Sequence, residues 1–184
     1  LEILMIFLKL IFYSFFGLII STQYSFGEMK LSSEGINDGK IKKEHACKKY
    51  GGKNISLPIS LSGIPAETKS ITIIMDDPDA MAPAGKIWVH WNVFNIPVSG
   101  ESYKLSSGKK PKGTIGKGHS GSGYFGMCPP DKNHTYRIAV YALKNNVKAK
   151  ASGFNAVKYT LKRFEKDFND SIIDKVIISG DFYR

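Results

Sequence analysis

The sequence lacks the short motifs that mark the common hydrolases and nucleotide-binding enzymes. It contains no Gly-x-Ser-x-Gly elbow, no His-Glu-x-x-His pair and no Walker loop. It also has no metal-ligand spacing, no internal repeat, and no helix-turn-helix, zinc-finger or RNA-binding signature. These absences argue against nucleic acid as a partner, and they predict neither a metal nor a cofactor.

Acidic residues are outnumbered, with 16 Asp and Glu against 26 Lys and Arg, which gives a net charge of +10. The lysines are dispersed, with only short clusters such as Lys48-Lys49 and Lys109-Lys110. Dispersed basic charge is typical of a solvated surface. With 184 residues, 42% of them hydrophobic, the chain has the length and composition of one globular domain.

Charge is almost absent from the first 20 residues, where only Glu2 and Lys9 occur. Residues 10–20 have the apolar character and length of the central region of a signal peptide. Small residues at Ser25 and Gly27 are typical of a cleavage site. We therefore predict a signal peptide that is removed by cleavage after Gly27.

The predicted export determines where the mature domain begins and in which compartment it is expected. Residues 1–27 would be the signal peptide and residues 28–184 a single domain in the periplasm or secreted. The alternative is an uncleaved N-terminal segment that anchors the protein in a membrane. Met5 is an alternative start of the chain.

Cysteine is scarce, since only Cys47 and Cys128 are present. In an oxidising compartment such a pair is a candidate disulfide. Two separate buried thiols are the alternative, because a sequence does not give the Cα separation that a bridge requires.

Strand patterns dominate the middle of the chain. Alternating or β-branched apolar residues predict strands at residues 55–61, 70–75, 87–96 and 135–143. Pro58 indicates that the first of these is an edge or interrupted strand. Residues 98–122 are rich in Gly, Ser, Lys and Pro and predict a long loop.

The C-terminal part of the chain adds one helix to this mainly β fold. Val157, Leu161, Phe164 and Phe168 are spaced by four, three and four residues, which predicts an amphipathic helix over residues 156–168. Asn155 is the expected cap. The apolar segment at residues 172–178 fits either a helix or a strand.

Polar residues follow or begin several of the predicted strands. Asp77-Pro78-Asp79 leaves a buried strand, where the proline can hold a carboxylate rigidly, although such a segment is also an ordinary turn. His90 lies within a strand that is predicted to be buried on both faces, where a histidine is commonly a satisfied core group. His134 and Tyr136 are two residues apart and point to the same face of their strand.

A glycine-proline segment completes the set of candidate site residues. The segment from Gly123 to Pro130 can turn backbone N–H groups toward an anion, while the two prolines stiffen the exit of the turn. His119, in the glycine-rich part of the long loop, lacks a rigid frame and is interpreted as incidental.

The order of these segments along the chain resembles that of the phosphatidylethanolamine-binding proteins, also called Raf-kinase-inhibitor-like proteins. The resemblance is to the bacterial and archaeal branch of the family. The resemblance rests on Asp77-Pro-Asp-Ala80, Trp88-Val-His-Trp91, Gly123-Tyr-Phe-Gly-Met-Cys-Pro-Pro130 and His134-Thr-Tyr-Arg137. It implies a β-sandwich with peripheral helices and a shallow pocket for phosphate-like or carboxylate anions.

The resemblance also assigns expected roles to individual residues. Asp77, His90 and His134 would line the pocket, Tyr136 would lie beside them, and the backbone at Gly126 and Cys128 would face the anion. Two positions depart from the family pattern. Met81 stands where proline is usual after Asp-Pro-Asp-Ala, and Phe182 stands where tyrosine is usual near the C-terminus.

We therefore expect an exported protein that binds a small anion and does not act as an enzyme. We expect Asp77 to accept a hydrogen bond from one histidine, so that the N–H of the other is directed at the ligand. One alternative is a hydrolase or lyase for a phosphorylated small molecule, with Asp77 and His90 as acid and base. Another alternative is an inhibitor of a partner protein such as a kinase or protease, which would use the pocket rim and the basic 98–122 loop. A homodimer, and membrane contact through a lipid headgroup, are compatible with all of these functions.

Overall fold

The computed structural model describes residues 27–183. The predicted signal peptide therefore lies outside the described residues, apart from Gly27. Within the described range, no helix has both the length and the apolar character needed to cross a bilayer.

Strands account for most of the regular structure. The strands are β1 (Lys30–Ser32), β2 (Ile36–Asn37), β3 (Lys40–Ile41), β4 (Ile59–Ser62), β5 (Ser70–Asp77), β6 (Trp88–Pro97), β7 (Ser102–Leu105), β8 (Thr114–Ile115), β9 (Lys117–Gly118), β10 (Gly121–Ser122), β11 (His134–Leu143) and β12 (Ile172–Phe182). The α-helices are α1 (Met81–Ala84) and α2 (Leu161–Phe168), and 3-10 turns occur at Lys43–His45, Lys48–Tyr50 and Asn169–Ser171.

Two sheets pack face to face. The larger has seven strands in the order β2-β3-β12-β11-β5-β6-β8, and the smaller has the order β1-β4-β7. The central pairs of the larger sheet are antiparallel, whereas β12 and β3 pair in parallel at one position. β9 and β10 form a separate hairpin. The predicted mainly β sandwich with a C-terminal helix is confirmed.

The burial of β5 explains its run of β-branched and apolar residues from Ile71 to Met75. Successive side chains of a strand point to opposite faces of the sheet. Ile71, Ile73 and Met75 pack in the core between the two sheets, whereas Ile74 packs in a second core on the other face. All eight residues of β5 are buried because both faces of the sheet are covered.

The second core is aromatic and is closed by α2. Phe164 of α2 packs against Phe94 of β6, with ring centroids 6.0 Å apart, and against Tyr141 of β11 at 4.8 Å. The helix begins later than predicted: residues 156–160 are not helical, and Thr160 rather than Asn155 is the cap. The Thr160 hydroxyl oxygen accepts from the N–H of Arg163 at 3.2 Å.

Two other segments refine the sequence predictions. The predicted long loop at residues 98–122 contains the short strands β7 to β10. The segment that fitted either a helix or a strand is the strand β12, which pairs along β11. Pairing with β11 settles its structure because the apolar pattern alone favours neither form.

Cys47 and Cys128 form a disulfide, with their Cα atoms 5.6 Å apart. The alternative of two separate thiols is therefore wrong. The bond joins the segment before the Lys48–Tyr50 turn to the glycine-proline segment, and a second contact reinforces it, since the N–H of Cys47 donates to the carbonyl of Met127 at 3.0 Å.

Candidate functional site

A cavity of about 180 Å³ lies at one end of the central strands β11, β5 and β6 of the larger sheet. Its walls are formed by Asp77, Ala80, Pro83, Ala84, Trp88, His90, Ser120, Phe125, Cys128, Pro129, Pro130, His134 and Tyr136. Five of the six predicted ligand-binding residues are therefore brought together, and Gly126 is the exception.

Strand order explains why these residues meet. β5 lies between β11 and β6 and is antiparallel to both. Asp77, at the end of β5, is opposite Trp88 at the start of β6, and Asp76 is opposite Arg137 near the start of β11. The end of β5 therefore lies beside the beginnings of its two neighbours, β11 and β6, and the polar side chains converge there.

His134 lies between two carboxylates. Its Nδ1 donates to Oδ2 of Asp77 at 2.7 Å, and its Nε2 donates to Oδ1 of Asp131 at 2.9 Å. Burial opposes the charged ring, but the hydrogen bonds to Asp77 and Asp131 raise the pKa of His134 above its usual value. His134 is therefore held as an imidazolium whose two N–H groups are both used.

Asp77 is buried at the base of the cavity and is held from two sides. Its Oδ1 accepts from the N–H of Ala80 at 3.1 Å, and its Oδ2 accepts from His134. Burial raises the pKa of Asp77, and the hydrogen bond from His134 opposes that shift. The expectation that Asp77 accepts a hydrogen bond from one histidine is confirmed.

His90 has the opposite protonation. Its Nδ1 donates to the carbonyl of Phe125 at 2.8 Å, and because a carbonyl can only accept, this nitrogen must hold the proton. Burial lowers the pKa of His90 to about 4, so the ring is neutral at neutral pH. Its Nε2 is then a bare acceptor, 4.0 Å from Oδ2 of Asp77. The expected N–H directed at a ligand is therefore not present on this ring.

Tyr136 provides a donor at the cavity wall. The side chain is fully buried and its hydroxyl has no hydrogen-bond partner among residues 27–183. Its ring packs edge-on against His90, with centroids 5.2 Å apart. Burial, with the charge of Asp77, raises the pKa of Tyr136, so the hydroxyl keeps its proton.

The glycine-proline segment contributes differently from the prediction. Gly126 does not line the cavity, and its N–H donates to Oδ1 of Asn54 at 2.7 Å. A side chain at this glycine would collide with backbone, since a Cβ would lie 2.4 Å from the carbonyl oxygen of His45. Gly126 therefore allows two backbone segments to approach closely, and its N–H is directed at Asn54 and not into the cavity. Cys128 does line the cavity.

Sequence reasoning missed two residues that set the protonation of the site. Asp131 holds the second nitrogen of His134, and the Phe125 carbonyl fixes the proton on His90. A histidine three residues after an aspartate was the only local signal for the first contact. No sequence signal existed for the second, because it joins positions 35 apart through a backbone oxygen.

His119 is held more rigidly than its place in a glycine-rich loop predicts. Its Nδ1 accepts from the N–H of Val89 at 2.8 Å, and its ring stacks on Trp88 with centroids 4.7 Å apart. Burial, with help from two nearby lysines, lowers the pKa of His119 to about 4. His119 therefore positions Trp88, which is a wall of the cavity.

The two departures from the family pattern lie at different places. Met81 is 51% exposed at the start of α1, next to Ala80 in the cavity wall. Phe182 is buried outside the cavity and packs near Tyr50, with ring centroids 6.3 Å apart. Neither side chain is among the residues that line the cavity: Met81 lies next to the wall, and Phe182 lies away from it.

The cavity wall combines a hydroxyl donor with acceptor atoms. Tyr136 has a hydroxyl without a partner among residues 27–183, and His90 and Asp77 have acceptor atoms close to His134. Among residues 27–183 no three acidic, cysteine or histidine side chains converge in a way that could hold a metal ion.

Comparison with known proteins identifies the same family that the sequence motifs of the site resemble. Residues 31–183 match the family described as phosphatidylethanolamine-binding protein. A UPF0098 protein of Methanothermobacter thermautotrophicus is 41% identical over 121 residues, which cover 62% of this chain and 76% of the relative. The UPF0098 protein YbcL of Escherichia coli is 34% identical over 146 residues, which cover 69% of this chain and 79% of the relative.

Two solved structures have the same fold. A phosphatidylethanolamine-binding protein homologue of Chlamydia trachomatis, CT736, superposes with a TM-score of 0.70 at 28% identity and covers 85% of this chain and 98% of its own. Escherichia coli YbcL superposes with a TM-score of 0.68, also at 28% identity, and covers 86% of this chain and 99% of its own. The family match spans the sandwich, the cavity and α2. The chain belongs to the phosphatidylethanolamine-binding protein family.

Proposed function

We propose that the protein is an exported binding protein for a small oxyanion, either a phosphoryl group or a carboxylate. The main support is the hydroxyl of Tyr136, which is buried at the cavity wall without a partner among residues 27–183. A buried unsatisfied hydroxyl costs about 1–3 kcal/mol. An oxygen of a bound anion would accept from this hydroxyl and remove that cost.

The size and surroundings of the cavity support a small ligand. Its volume of about 180 Å³ fits a phosphoryl group or a short organic acid better than a whole lipid. The net charge of +10 gives the molecule a field that attracts anions.

Export is supported by two independent features. The first 27 residues have the pattern of a signal peptide, and the disulfide between Cys47 and Cys128 is stable in an oxidising compartment. Both favour the periplasm or the exterior of the cell.

We propose binding rather than turnover. The two N–H groups of His134 are donated to carboxylates, and His90 is too far from Asp77, at 4.0 Å, for the two to share a proton. A panel of phosphomonoesters incubated with the protein is expected to release no phosphate above the rate without protein.

The binding proposal is tested by titrating inorganic phosphate and phosphoethanolamine in a calorimeter. Tyr136→Phe removes the free hydroxyl and is expected to weaken binding about tenfold, which corresponds to one lost hydrogen bond. Tyr141→Phe is the matched control, because this tyrosine lies on the same strand, is equally buried, and donates to Glu165 instead of facing the cavity.

The control separates a binding effect from a packing effect. Tyr141→Phe is expected to bind phosphate as the wild type does. Equal affinities of the wild type and Tyr136→Phe would exclude the hydroxyl as a ligand contact, and a wild type that binds none of these anions would refute the proposed function.

A further inference from the structure

Two residues of the cavity wall have acceptor atoms with spare lone pairs. Nε2 of His90 and Oδ2 of Asp77 lie 4.0 Å apart, and Oδ2 accepts one hydrogen bond, from His134. That separation is too long for a hydrogen bond between them. Each atom therefore has an unused lone pair available to a donor that enters the cavity.

The protonation of His90 follows from geometry. Its Nδ1 is 2.8 Å from the carbonyl oxygen of Phe125, which can only accept. A second proton on this buried ring would place a charge where only 4% of the residue is exposed. The ring is therefore neutral, and Nε2 has no proton to give to an anion.

The local charge also opposes an unprotonated anion. Asp77 and Asp131 are both within hydrogen-bond distance of His134, so two carboxylates share one imidazolium. The cluster has a net charge of −1 when both carboxylates are ionised. A ligand with only acceptor oxygens would meet this charge, the bare Nε2 of His90, and Oδ2 of Asp77, which accepts from His134 and keeps a second lone pair.

The charged and titratable groups around His90 come from several elements. They are Asp77 at the end of β5, Asp79 just after it, Asp131 in the loop before β11, His134 and Tyr136 of β11, and His119 with its neighbours Lys86 and Lys158. Of these, Asp77 and His134 are the ionised groups in the cavity wall, and both are already paired with each other.

We propose that the site selects oxyanions that bring a proton of their own, namely hydrogen phosphate and phosphomonoesters. This inference rests on the proposed function and narrows its ligands to phosphoryl groups that carry a P–OH, which excludes the carboxylates. The ligand P–OH would donate to Nε2 of His90 or to Oδ2 of Asp77, while an unprotonated oxygen of the same group accepts from the Tyr136 hydroxyl. Sulfate, carboxylates and phosphodiesters have no such proton near neutral pH and are rejected, and a phospholipid headgroup joined as a diester falls in the rejected class.

The ligand proton makes affinity depend on pH. The second pKa of a phosphomonoester is about 6, so the dianion that predominates at about pH 8 must take up one proton on binding. Affinity for a monoester is expected to fall as pH rises above about 6.

Four probes test the selectivity of the protein isolated from cells that express the full sequence. Inorganic phosphate and methyl phosphate have a P–OH, whereas sulfate matches phosphate in shape without one, and dimethyl phosphate matches a single negative charge without one. At about pH 6 we expect sulfate and dimethyl phosphate to bind at least about tenfold more weakly than methyl phosphate, the effect of leaving a buried acceptor unpaired.

Asp77→Asn and Asp131→Asn form a matched pair of variants. Both remove one negative charge beside His134, but only Asp77 lines the cavity. In Asp77→Asn an amide N–H₂ can donate, so the preference for methyl phosphate over sulfate is expected to decrease about tenfold or more. In Asp131→Asn the affinities are expected to rise together and their ratio to stay the same.

A measurement on the wild type keeps the test decisive if Asp77→Asn does not fold. Calorimetry of methyl phosphate in buffers of different ionisation enthalpy gives the number of protons taken up on binding. We expect about one proton at about pH 8 and almost none at about pH 5, on either side of the ligand pKa.

The possible failures are distinguishable. If sulfate and dimethyl phosphate bind as tightly as methyl phosphate, or if no proton is taken up at high pH, the selectivity is refuted while anion binding stands. If none of the four anions binds, the proposed function is refuted. If ethanolamine binds without any phosphate, the acceptors serve a cation, and both are refuted.

Discussion

The same residue type has opposite protonation at two neighbouring positions of the site. His90 is buried against a carbonyl, and burial lowers its pKa to about 4. His134 is equally buried, but its two carboxylate partners raise its pKa. The difference arises from the partners of each ring, since desolvation alone would make both neutral.

These two histidines contribute to stability in opposite pH ranges. His134 has a raised pKa, so its contribution is complete below the unfolded pKa of 6.5 and is lost as pH rises through the folded value. His90 has a lowered pKa, so its neutral form favours folding above 6.5, and this contribution is lost as pH falls.

We therefore predict that acid destabilises the protein between about pH 6.5 and about pH 4 through His90. The unfolded chain binds more protons than the folded one in this range, so the free energy of unfolding should fall, by up to roughly 3 kcal/mol from this ring. Urea unfolding at several pH values measures the effect, and NMR of the ring gives the pKa itself.

His90→Gln is the control for this prediction, because an amide can donate to the Phe125 carbonyl but does not titrate. The pH slope of the free energy of unfolding should be smaller in this variant than in the wild type. A His90 ring that titrates near 6.5 in the folded protein would contradict the prediction.

At the scale of elements, the central strands and the end of α2 at Phe168 were predictable, whereas the start of α2 was not. β5, β6 and β11 have apolar patterns that match their burial. The start of α2 depends on a contact from another element, since Oδ2 of Asp76 accepts from the N–H of Leu161 at 3.0 Å. That contact joins positions 85 apart, so no local pattern indicated it.

The cap of α2 gives a prediction at this scale. Thr160→Ala removes the hydroxyl oxygen that accepts from the N–H of Arg163 and is expected to lower the free energy of unfolding by about 1 kcal/mol. Asn155→Ala, at the cap expected from the sequence, should change it by less than about 0.5 kcal/mol because that side chain is exposed. Urea unfolding of the two variants distinguishes the two caps, and a larger effect at Asn155 would contradict the structure.

At the scale of the whole molecule, the disulfide holds the segment that closes the cavity. Cys128 lies in the cavity wall, and its bond to Cys47 closes a loop across 81 positions of the chain. The same segment is tied by the hydroxyl of Tyr50, which donates to the carbonyl of Pro129 at 2.6 Å. Stability and the shape of the cavity are therefore coupled.

We predict that losing the disulfide lowers both the melting temperature and the affinity for phosphate. On the chain-entropy argument a loop of this length contributes about 4 kcal/mol. The change is made by replacing both cysteines with alanine, Cys47→Ala together with Cys128→Ala, and measured by calorimetric melting and phosphate titration. Reductant should lower the melting temperature of the wild type and leave the double variant unchanged, whereas an equal effect on both would show that the reductant acts elsewhere.

The sequence by itself determined the mainly β class, the central strands and the segments that form the site, because these depend on local periodicity and on turn residues with fixed backbone preferences. It placed Asp77, His90, His134 and Tyr136 at one candidate site through their order along the chain. Only the tertiary structure decided that Cys47 meets Cys128, that Gly126 serves backbone packing, and how each histidine is protonated. Those outcomes depend on partners distant in the chain, such as the Phe125 carbonyl and the carboxylate of Asp77, and a hydrogen bond between distant positions leaves no periodic signal in the sequence.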